Sequence, residues 1–194
     1  MIDAKWFFSE FIKVVTEDKY LDIYRNEEPT FTKIVTTEIN SIIKKVGITP
    51  QNEYYRIDIV GWQSRYEEVK KEAEEVGLKP HLWDLEIVVE HENNKMDWTD
   101  ELIKLAYVRC PLKIIICYNY CDCRDDDSFH RSDKSKLKFV VNGLNKLKRC
   151  YLEENEELLI IMGNAAPYKG AETYKKFDYR GYLLKHNDRC FSQI

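Results

Sequence analysis

Acidic residues interrupt an apolar run near the middle of this chain. The segment 83–93 holds three consecutive β-branched residues at 87–89, a pattern typical of a strand buried on both faces, and Glu90 and Glu92 follow directly. Because side chains alternate along a strand, these two carboxylates share one face about 7 Å apart, where they repel each other and lose hydration. A divalent cation relieves that repulsion, and Mg²⁺ prefers hard oxygen ligands of this kind. The segment is therefore a candidate metal site.

Two further acids occupy positions that packing would fill with apolar side chains. Asp58 interrupts the β-branched run 56–60, and Glu38 falls on the apolar stripe of a helix predicted over 31–46. A single acid in such a place is usually explained by a buried basic partner, but several acids on separate elements suggest convergence on one cation. Without a cation, four neighbouring carboxylates could not all stay ionised.

Helical and strand patterns alternate along the chain and would position these acids. Helices are predicted over 3–17, 31–46, 65–76, 97–108 and 136–151. Strands are predicted over 54–62, 82–93, 113–120, 158–162 and 179–185, and a polar, Asp-rich loop over 121–133. This alternation predicts an α/β or α+β fold in which helices flank a mixed central β-sheet. A length of 194 residues fits a single domain over 1–194.

The order of the acids resembles a known family. A Glu on a first helix, an Asp in a strand and a Glu-x-Lys-like motif in the next strand resemble the PD-(D/E)XK, or restriction endonuclease-like, nuclease superfamily. The matching residues are Glu38, Asp58, Glu90 and Glu92. The helix over 98–105 and the strand over 113–116 also resemble that core. The resemblance covers about residues 31–120 and leaves the helix 3–17 and the C-terminal extension 134–194 outside the core.

The resemblance implies a metal-dependent nuclease that hydrolyses phosphodiester bonds in DNA. Asp58 and Glu90 would bind Mg²⁺ (or Mn²⁺), together with the backbone carbonyl of His91, and Glu38 would hold a metal-bound water. Glu92 would act as general base or as ligand to a second metal. DNA is the implied partner.

Two features depart from the family pattern. Glu92 stands where the family usually has Lys, a substitution that some restriction enzymes of the superfamily share. Lys104, on the next predicted helix, is a candidate for a migrated replacement. In addition, the helix 65–76 separates the Asp strand from the Glu strand, where the family core has strands in close succession.

Simpler interpretations of the same residues stay open. Asp58 could form an ion pair with Arg56, and Glu90 and Glu92 could lie on the solvated face of an edge strand. Glu86 and Asp84 could replace the named pair if the register differs. By alternation, His91 points away from the acids and is better interpreted as a packed core histidine than as a side-chain ligand.

Two other clusters have chemical potential. Cys117, Cys121, Cys123 and His130 could bind zinc, but their spacing lacks the paired C-x2-C of structural sites, and Cys117 belongs to a buried strand. The basic segment 134–149 could face phosphates or be an ordinary charged helix face.

Composition excludes several classes of protein. The chain is 44% hydrophobic and 33% charged with a net charge of −4, which excludes intrinsic disorder and leaves any nucleic-acid contact to a local patch. No apolar run reaches the roughly 20 residues that span a bilayer, so no membrane partner is expected. The absence of a signal-peptide pattern predicts a cytoplasmic location with its six cysteines reduced. A homodimer is compatible with the sequence, which does not determine the oligomeric state.

Two alternative functions accompany the nuclease hypothesis. One is a catalytically inactive member of the fold that binds protein or nucleic acid, which the missing motif Lys and the acidic net charge favour. The other is an α/β enzyme unrelated to nucleic acid, which the lack of a Gly-rich phosphate loop or nucleophile elbow disfavours.

Overall fold

Helices and strands alternate along most of the chain. The computed structural model describes residues 2–15, 23, 28–79, 82–93, 97–119, 126–148, 151–164 and 178–194. The helices are α1 (Ala4–Val15), α2 (Glu28–Lys45), α3 (Tyr66–Glu75), α4 (Trp98–Ala106) and α5 (Asp126–Leu144). The strands are β1 (Thr49–Tyr54), β2 (Ile57–Ser64), β3 (Trp83–Glu92), β4 (Leu112–Asn119), β5 (Glu157–Asn164), β6 (Tyr179–Lys185) and β7 (Ser192–Gln193).

All seven of these strands form one mixed sheet in the order β1-β2-β3-β4-β5-β6-β7. Strands β3, β4 and β5 are parallel to one another, and every other neighbouring pair is antiparallel. The predicted α/β class with a mixed, helix-flanked sheet is confirmed. The acidic strand β3 is paired on both sides, so the alternative that it is an edge strand is wrong.

Helices cover both faces of the sheet. On one face, α1 and α2 pack over a core that includes Ile87 and Val89 of β3. On the other face, α4 and α5 pack over a core that includes Val88. We refer to these as the α1–α2 face and the α4–α5 face. The alternation predicted for β3 is therefore confirmed, and Glu90 shares the α4–α5 face with Val88.

Helix α2 lies close to the sheet because its buried side is made of regularly spaced apolar residues. These residues are Phe31, Val35, Ile39, Ile42 and Ile43. The helix is followed by Gly47 with a φ of +77°, a left-handed conformation that a glycine adopts without strain. At Gly61 of β2, a Cβ would collide with Ile87 and would lie 2.8 Å from Cγ2 of Ile48, so the close packing requires glycine there.

Two predicted elements differ from the structure. The strand predicted over 54–62 is present as β2 from residue 57 onward, but the chain turns at Tyr55 and Arg56, so Tyr54 belongs to β1, a strand that was not predicted. Both turn residues have positive φ, 50° and 63°, as in a type I′ turn, but neither is the Gly or Asn that usually marks one. Helix α5 begins at Asp126, ten residues before its predicted start, so residues 126–133 are helical and not a loop. Residues 121–125 lie outside the described part of the chain.

None of the helices in the described ranges is both long and apolar enough to cross a membrane.

Candidate active site

Asp58 and Glu90 meet where the antiparallel ladder between β2 and β3 ends. The ladder runs from Ser64 opposite Trp83 to Ile59 opposite Val89, so the two acids come directly after its last pair. Their bonds are reciprocal: the amide of Asp58 donates to Oε2 of Glu90 at 3.3 Å, and the amide of His91 donates to Oδ2 of Asp58 at 2.8 Å. Each carboxylate thus holds the neighbouring strand in place.

Lys104 brings a cation to this pair from helix α4. Its Nζ lies 2.5 Å from Oε1 of Glu90, and the Glu90 side chain is only 2% exposed. The same ammonium forms an ion pair with Glu101, one turn earlier on α4, and donates to the backbone carbonyl of Arg56 in the hairpin turn. Lys104 therefore ties the hairpin, the acidic strand and α4 together at one point.

The surroundings of Glu90 change its acidity. Burial raises the pKa of Glu90 to about 8; the hydrogen bond from Lys104 opposes this rise, and the negative charge of Asp58 adds to it. Burial alone would lower the pKa of Lys104, but the hydrogen bonds to Glu101 and Glu90 outweigh it, and the pKa lies above its ordinary value. The Glu90 carboxyl therefore gains or loses its proton close to neutral pH, beside an ammonium that stays charged.

Asp58 and Glu90 suit a divalent cation in their chemistry. They are hard oxygen donors on adjacent strands, and the raised pKa of Glu90 reflects a repulsion and desolvation that a bound cation would relieve. The side chains alone make an incomplete set. Across the described ranges, no group of three or more His, Cys, Asp or Glu side chains is arranged to hold an ion. A cation here would need backbone oxygen, such as the His91 carbonyl, and water to complete its ligands.

The structure separates the other predicted acids from this pair to different degrees. Glu92 lies two residues beyond Glu90 on β3, half-buried and in register with Cys117 of β4. Glu38 is half-buried on α2, which covers the face of the sheet opposite to the one that Glu90 faces. Asp58 and Glu90 are therefore brought together, Glu92 is close in sequence on the same strand, and Glu38 is on the other side of the sheet.

The structure bears on two of the simpler interpretations. Asp84 forms an exposed ion pair with Arg65, with 3.0 Å between Nη1 and Oδ2, so it has a partner away from Glu90. Within the described residues, no ion pair joins Asp58 to Arg56, which lies in the exposed turn. The carboxylate of Asp58 is instead bonded to the backbone of β3.

His91 is a packed core histidine, as expected. It is 7% exposed on the α1–α2 face, and its Nε2 lies 3.0 Å from the hydroxyl of Tyr118. The ring of Phe31 packs edge-on against it, with 6.1 Å between ring centroids. Burial lowers the pKa of His91 to about 4, so the imidazole is neutral at physiological pH. Its side chain anchors β3, while its amide holds Asp58.

A second buried polar cluster escaped the sequence analysis. Asp133 of α5 is fully buried and accepts from Nε of Arg180 at 2.5 Å and from the hydroxyl of Tyr182 at 2.7 Å. Arg180 also donates to Asn164, and Asn119 donates to Asp133, so the cluster joins the ends of β4 and β5 to β6. Two asparagines that end apolar strands were the available signal. The Asp133–Arg180 contact itself spans 47 residues.

The proposed zinc cluster is only partly within the described residues. Cys117 is buried in β4, and burial raises the pKa of its thiol. A buried, protonated thiol of this kind packs like a small hydrophobic side chain. His130 lies half-buried on α5. Cys121 and Cys123 lie outside the described ranges, so the zinc hypothesis stays a prediction.

An aromatic cavity of about 590 Å³ lies along the β1–β2 hairpin. Among the described residues, its lining consists of Thr49, Gln51, Tyr54, Trp62 and Trp83, and none of these is charged. The rings of Tyr54 and Trp62 meet edge-on with 5.2 Å between centroids, and both pack beside the core of the α4–α5 face. Tyr54, at one end of the cavity, pairs with Ile57, the residue before Asp58.

Comparison with known proteins identifies no relative of this chain. No family model matches the chain, and no curated protein or solved structure matches it either. Inference about function therefore rests on the geometry of Asp58, Glu90 and Lys104.

Proposed function

We propose that this protein is a metal-dependent nuclease with a restriction endonuclease-like core, which hydrolyses phosphodiester bonds in DNA. The observation that carries the proposal is the position of Lys104, whose Nζ lies 2.5 Å from Glu90 beside Asp58. The family motif combines two acids with a lysine, and here a lysine from the following helix reaches the acids although Glu92 occupies the usual lysine position.

The order of elements supports the same proposal. A helix with Glu38 is followed by the Asp58 strand, the Glu90 strand, helix α4 and strand β4, as the resemblance implies. Helix α3 does interrupt the chain between β2 and β3. The two strands are nevertheless direct neighbours in the sheet, so the interruption leaves Asp58 beside Glu90.

The acidic residues of β2 and β3 and Lys104 would each have a role in hydrolysis. Asp58 and Glu90 would hold Mg²⁺ or Mn²⁺ together with the His91 carbonyl. When bound, the ion would activate water at neutral pH and stabilise negative charge on the phosphate. The ammonium of Lys104 would orient the attacking water or neutralise a phosphate oxygen. Glu92 would accept a proton as general base.

The aromatic cavity supports nucleic acid as the substrate. Bases stack on aromatic side chains with little dependence on sequence, and each stacked base contributes about 1–3 kcal/mol. Tyr54, Trp62 and Trp83 offer such rings along the hairpin that leads to Asp58. A DNA strand whose phosphate lies at the acidic pair would extend its neighbouring bases toward this cavity.

Cleavage assays test the proposal directly. We expect the wild-type protein to cut plasmid or single-stranded DNA with Mg²⁺ or Mn²⁺, and Asp58→Asn, Glu90→Gln and Lys104→Met each to lower the rate by about 100-fold or more. Glu86→Gln is the matched control, because it changes a half-buried carboxyl on the same strand without touching the site. Equal cleavage by all the variants, or no cleavage by the wild type under any of these conditions, would overturn the proposal.

A second candidate is a catalytically inactive member of the same fold that binds protein or nucleic acid. One observation favours it: the Glu90 carboxyl already has a cationic partner in Lys104, which would compete with a metal ion for Oε1. The net charge of −4 also favours the inactive module. Metal binding separates the two candidates, since only the nuclease requires it.

A further inference from the structure

A groove of about 450 Å³ lies between helix α5 and the C-terminal segment 189–193. Its apolar part comes from Leu137 and Val141 on the helix, Tyr182 on β6 and Phe191. A volume of this size is within the ordinary range of small-molecule sites, about 300–1,000 Å³. The groove is separate from the Asp58–Glu90 pair, because two strands, β4 and β5, lie between β3 and β6.

The rim of this basic groove has one sign of charge. Lys134, Lys138 and Arg189 line it, and none of the described residues that line it is acidic. All three side chains belong to exposed residues, and within the described part of the chain none of them takes part in an ion pair. In a protein with a net charge of −4, three unopposed cations around one concavity favour an anionic ligand.

The polar and aromatic residues of the groove indicate which other groups the ligand should have. Lys134, Lys138 and Asn142 follow one another at intervals of four on α5, so they form one ridge along the groove. Asn142 and Gln193 offer amides that can both donate and accept hydrogen bonds. Phe191 offers an aromatic face between the two sides. Cations for a phosphate, an aromatic ring for a base and amides for its edge are together the groups that recognise a nucleotide.

We propose that the basic groove is a nucleotide-binding site. The phosphate would lie against Lys134, Lys138 and Arg189, and the base would stack on Phe191 with its edge facing Asn142 or Gln193. The ligand is either a free mononucleotide or a nucleotide unit of a single strand. This site is distinct from the proposed nuclease centre, and its occupation does not require that centre to be active.

Cys190 provides a probe inside the groove. It is exposed and lines the groove, whereas Cys110 and Cys117 are buried. The rate at which N-ethylmaleimide alkylates Cys190, followed by peptide mass spectrometry, therefore reports whether the groove is filled. EDTA is included throughout, so that no metal-dependent cleavage consumes an oligonucleotide.

We expect AMP, a single-stranded hexanucleotide or both to slow alkylation of Cys190, by about tenfold at ten times the dissociation constant. Adenosine, which lacks the phosphate, should protect far less. Protection by AMP identifies a free nucleotide as sufficient, and protection by the hexanucleotide alone identifies a unit of a strand. The double variant Lys134→Gln/Lys138→Gln should lose the protection.

The matched control is Lys146→Gln/Lys148→Gln. This double variant makes the same change of charge at exposed positions just after α5 and outside the groove, so it should keep the wild-type protection. The proposal is overturned if neither ligand protects Cys190 in the wild-type protein. It is also overturned if the Lys134→Gln/Lys138→Gln variant, with an unchanged circular dichroism spectrum, is protected as strongly as the wild type.

Discussion

Glu90 and His91 are consecutive residues that the fold places in opposite environments. Glu90 faces α4, where burial raises its pKa to about 8 and Lys104 lies against it. His91 faces α2, where burial lowers its pKa to about 4 and Tyr118 is its hydrogen-bonding partner. Both residues are therefore biased toward their neutral forms near pH 7. Strand β3 thus has an adjustable charge on one face and a fixed neutral anchor on the other.

The depressed pKa of His91 predicts a pH-dependent stability. The folded-state pKa of about 4 is below the unfolded value of 6.5, so the unfolded chain binds the extra proton first and stability is lost as the pH falls below 6.5. Between pH 7 and pH 5 the His91 contribution to this loss is about 2 kcal/mol. The raised pKa of Glu90 contributes a change of opposite sign over the same range, so the His91 contribution is the difference in pH dependence between the wild type and a variant that lacks the imidazole. Urea unfolding of metal-free protein at both pH values measures it.

His91→Gln should reduce that loss, because glutamine does not titrate and can still bond to Tyr118. His130→Gln, at a half-buried position on α5, is the matched control for the change of side chain. If His91→Gln loses as much stability between pH 7 and pH 5 as the wild type, burial of a neutral His91 is not the source of the effect.

Residue patterns indicated part of the candidate site. Asp58 and Glu90 could be found because each interrupts a β-branched run, and Lys104 could be named because a motif lysine was missing. Their reciprocal bonds to the backbone depend on strand pairing and leave no local pattern. Glu38 shows the opposite case: the sequence predicts it on the apolar stripe, but it is half-buried beside that stripe, and the face of the sheet that α2 covers could not be predicted from the pattern.

At the scale of elements, sequence patterns mispredicted a turn and a helix start where the residue types are not typical of the backbone conformation that they adopt. The β1–β2 hairpin turns at Tyr55 and Arg56, and neither residue is a usual turn former, so the strand pattern continued across the turn. The early start of α5 was missed because the residues around 126–133 have the polarity of a loop. Asp133, within that segment, is buried against Arg180 from β6, a contact that only the folded sheet creates.

The close packing around Gly61 of β2 predicts a specific sensitivity at this position. Gly61→Ala should destabilise the protein by about 1–3 kcal/mol, because the added methyl group would collide with Ile87 and approach Ile48. Chemical denaturation measures the change. Gly143→Ala is the control: nothing lies within 4 Å of its Cβ position on α5, and the change should be neutral or stabilise by up to about 1 kcal/mol. Equal effects at both positions would contradict this account of the packing.

At the scale of the whole molecule, one sheet places three different surfaces at separate positions. The acidic pair lies between β2 and β3, the aromatic cavity lies along β1 and β2, and the basic groove lies beyond β6. The general architecture followed from alternating patterns in the sequence. The separation of these surfaces did not, because it depends on the order of strands in the sheet.

Metal binding should raise the thermal stability of the whole protein. A ligand that binds only the native state at 100 times its dissociation constant contributes about 2.7 kcal/mol, which raises Tm by roughly 5–10 °C for a chain of this length. We expect Mn²⁺ to produce such a rise in the wild type, EDTA to reverse it, and Asp58→Asn or Glu90→Gln to abolish it. The rise should be larger at pH 8.5 than at pH 6.5, because the ion must displace the proton of Glu90.

The control for this experiment is again Glu86→Gln, which should respond to Mn²⁺ as the wild type does. A wild-type Tm that stays constant with Mn²⁺ and Mg²⁺ at both pH values would favour the inactive binding module over the nuclease.

The bond from Lys104 to the carbonyl of Arg56 also limits when this contact can form as the chain is synthesised. The two residues are 48 positions apart, and the carbonyl belongs to a turn residue with a φ of 63°. During synthesis, the hairpin and the acidic strand leave the ribosome before α4 does. The contact that joins the hairpin, the acidic strand and α4 can therefore form only after residue 104 has been synthesised.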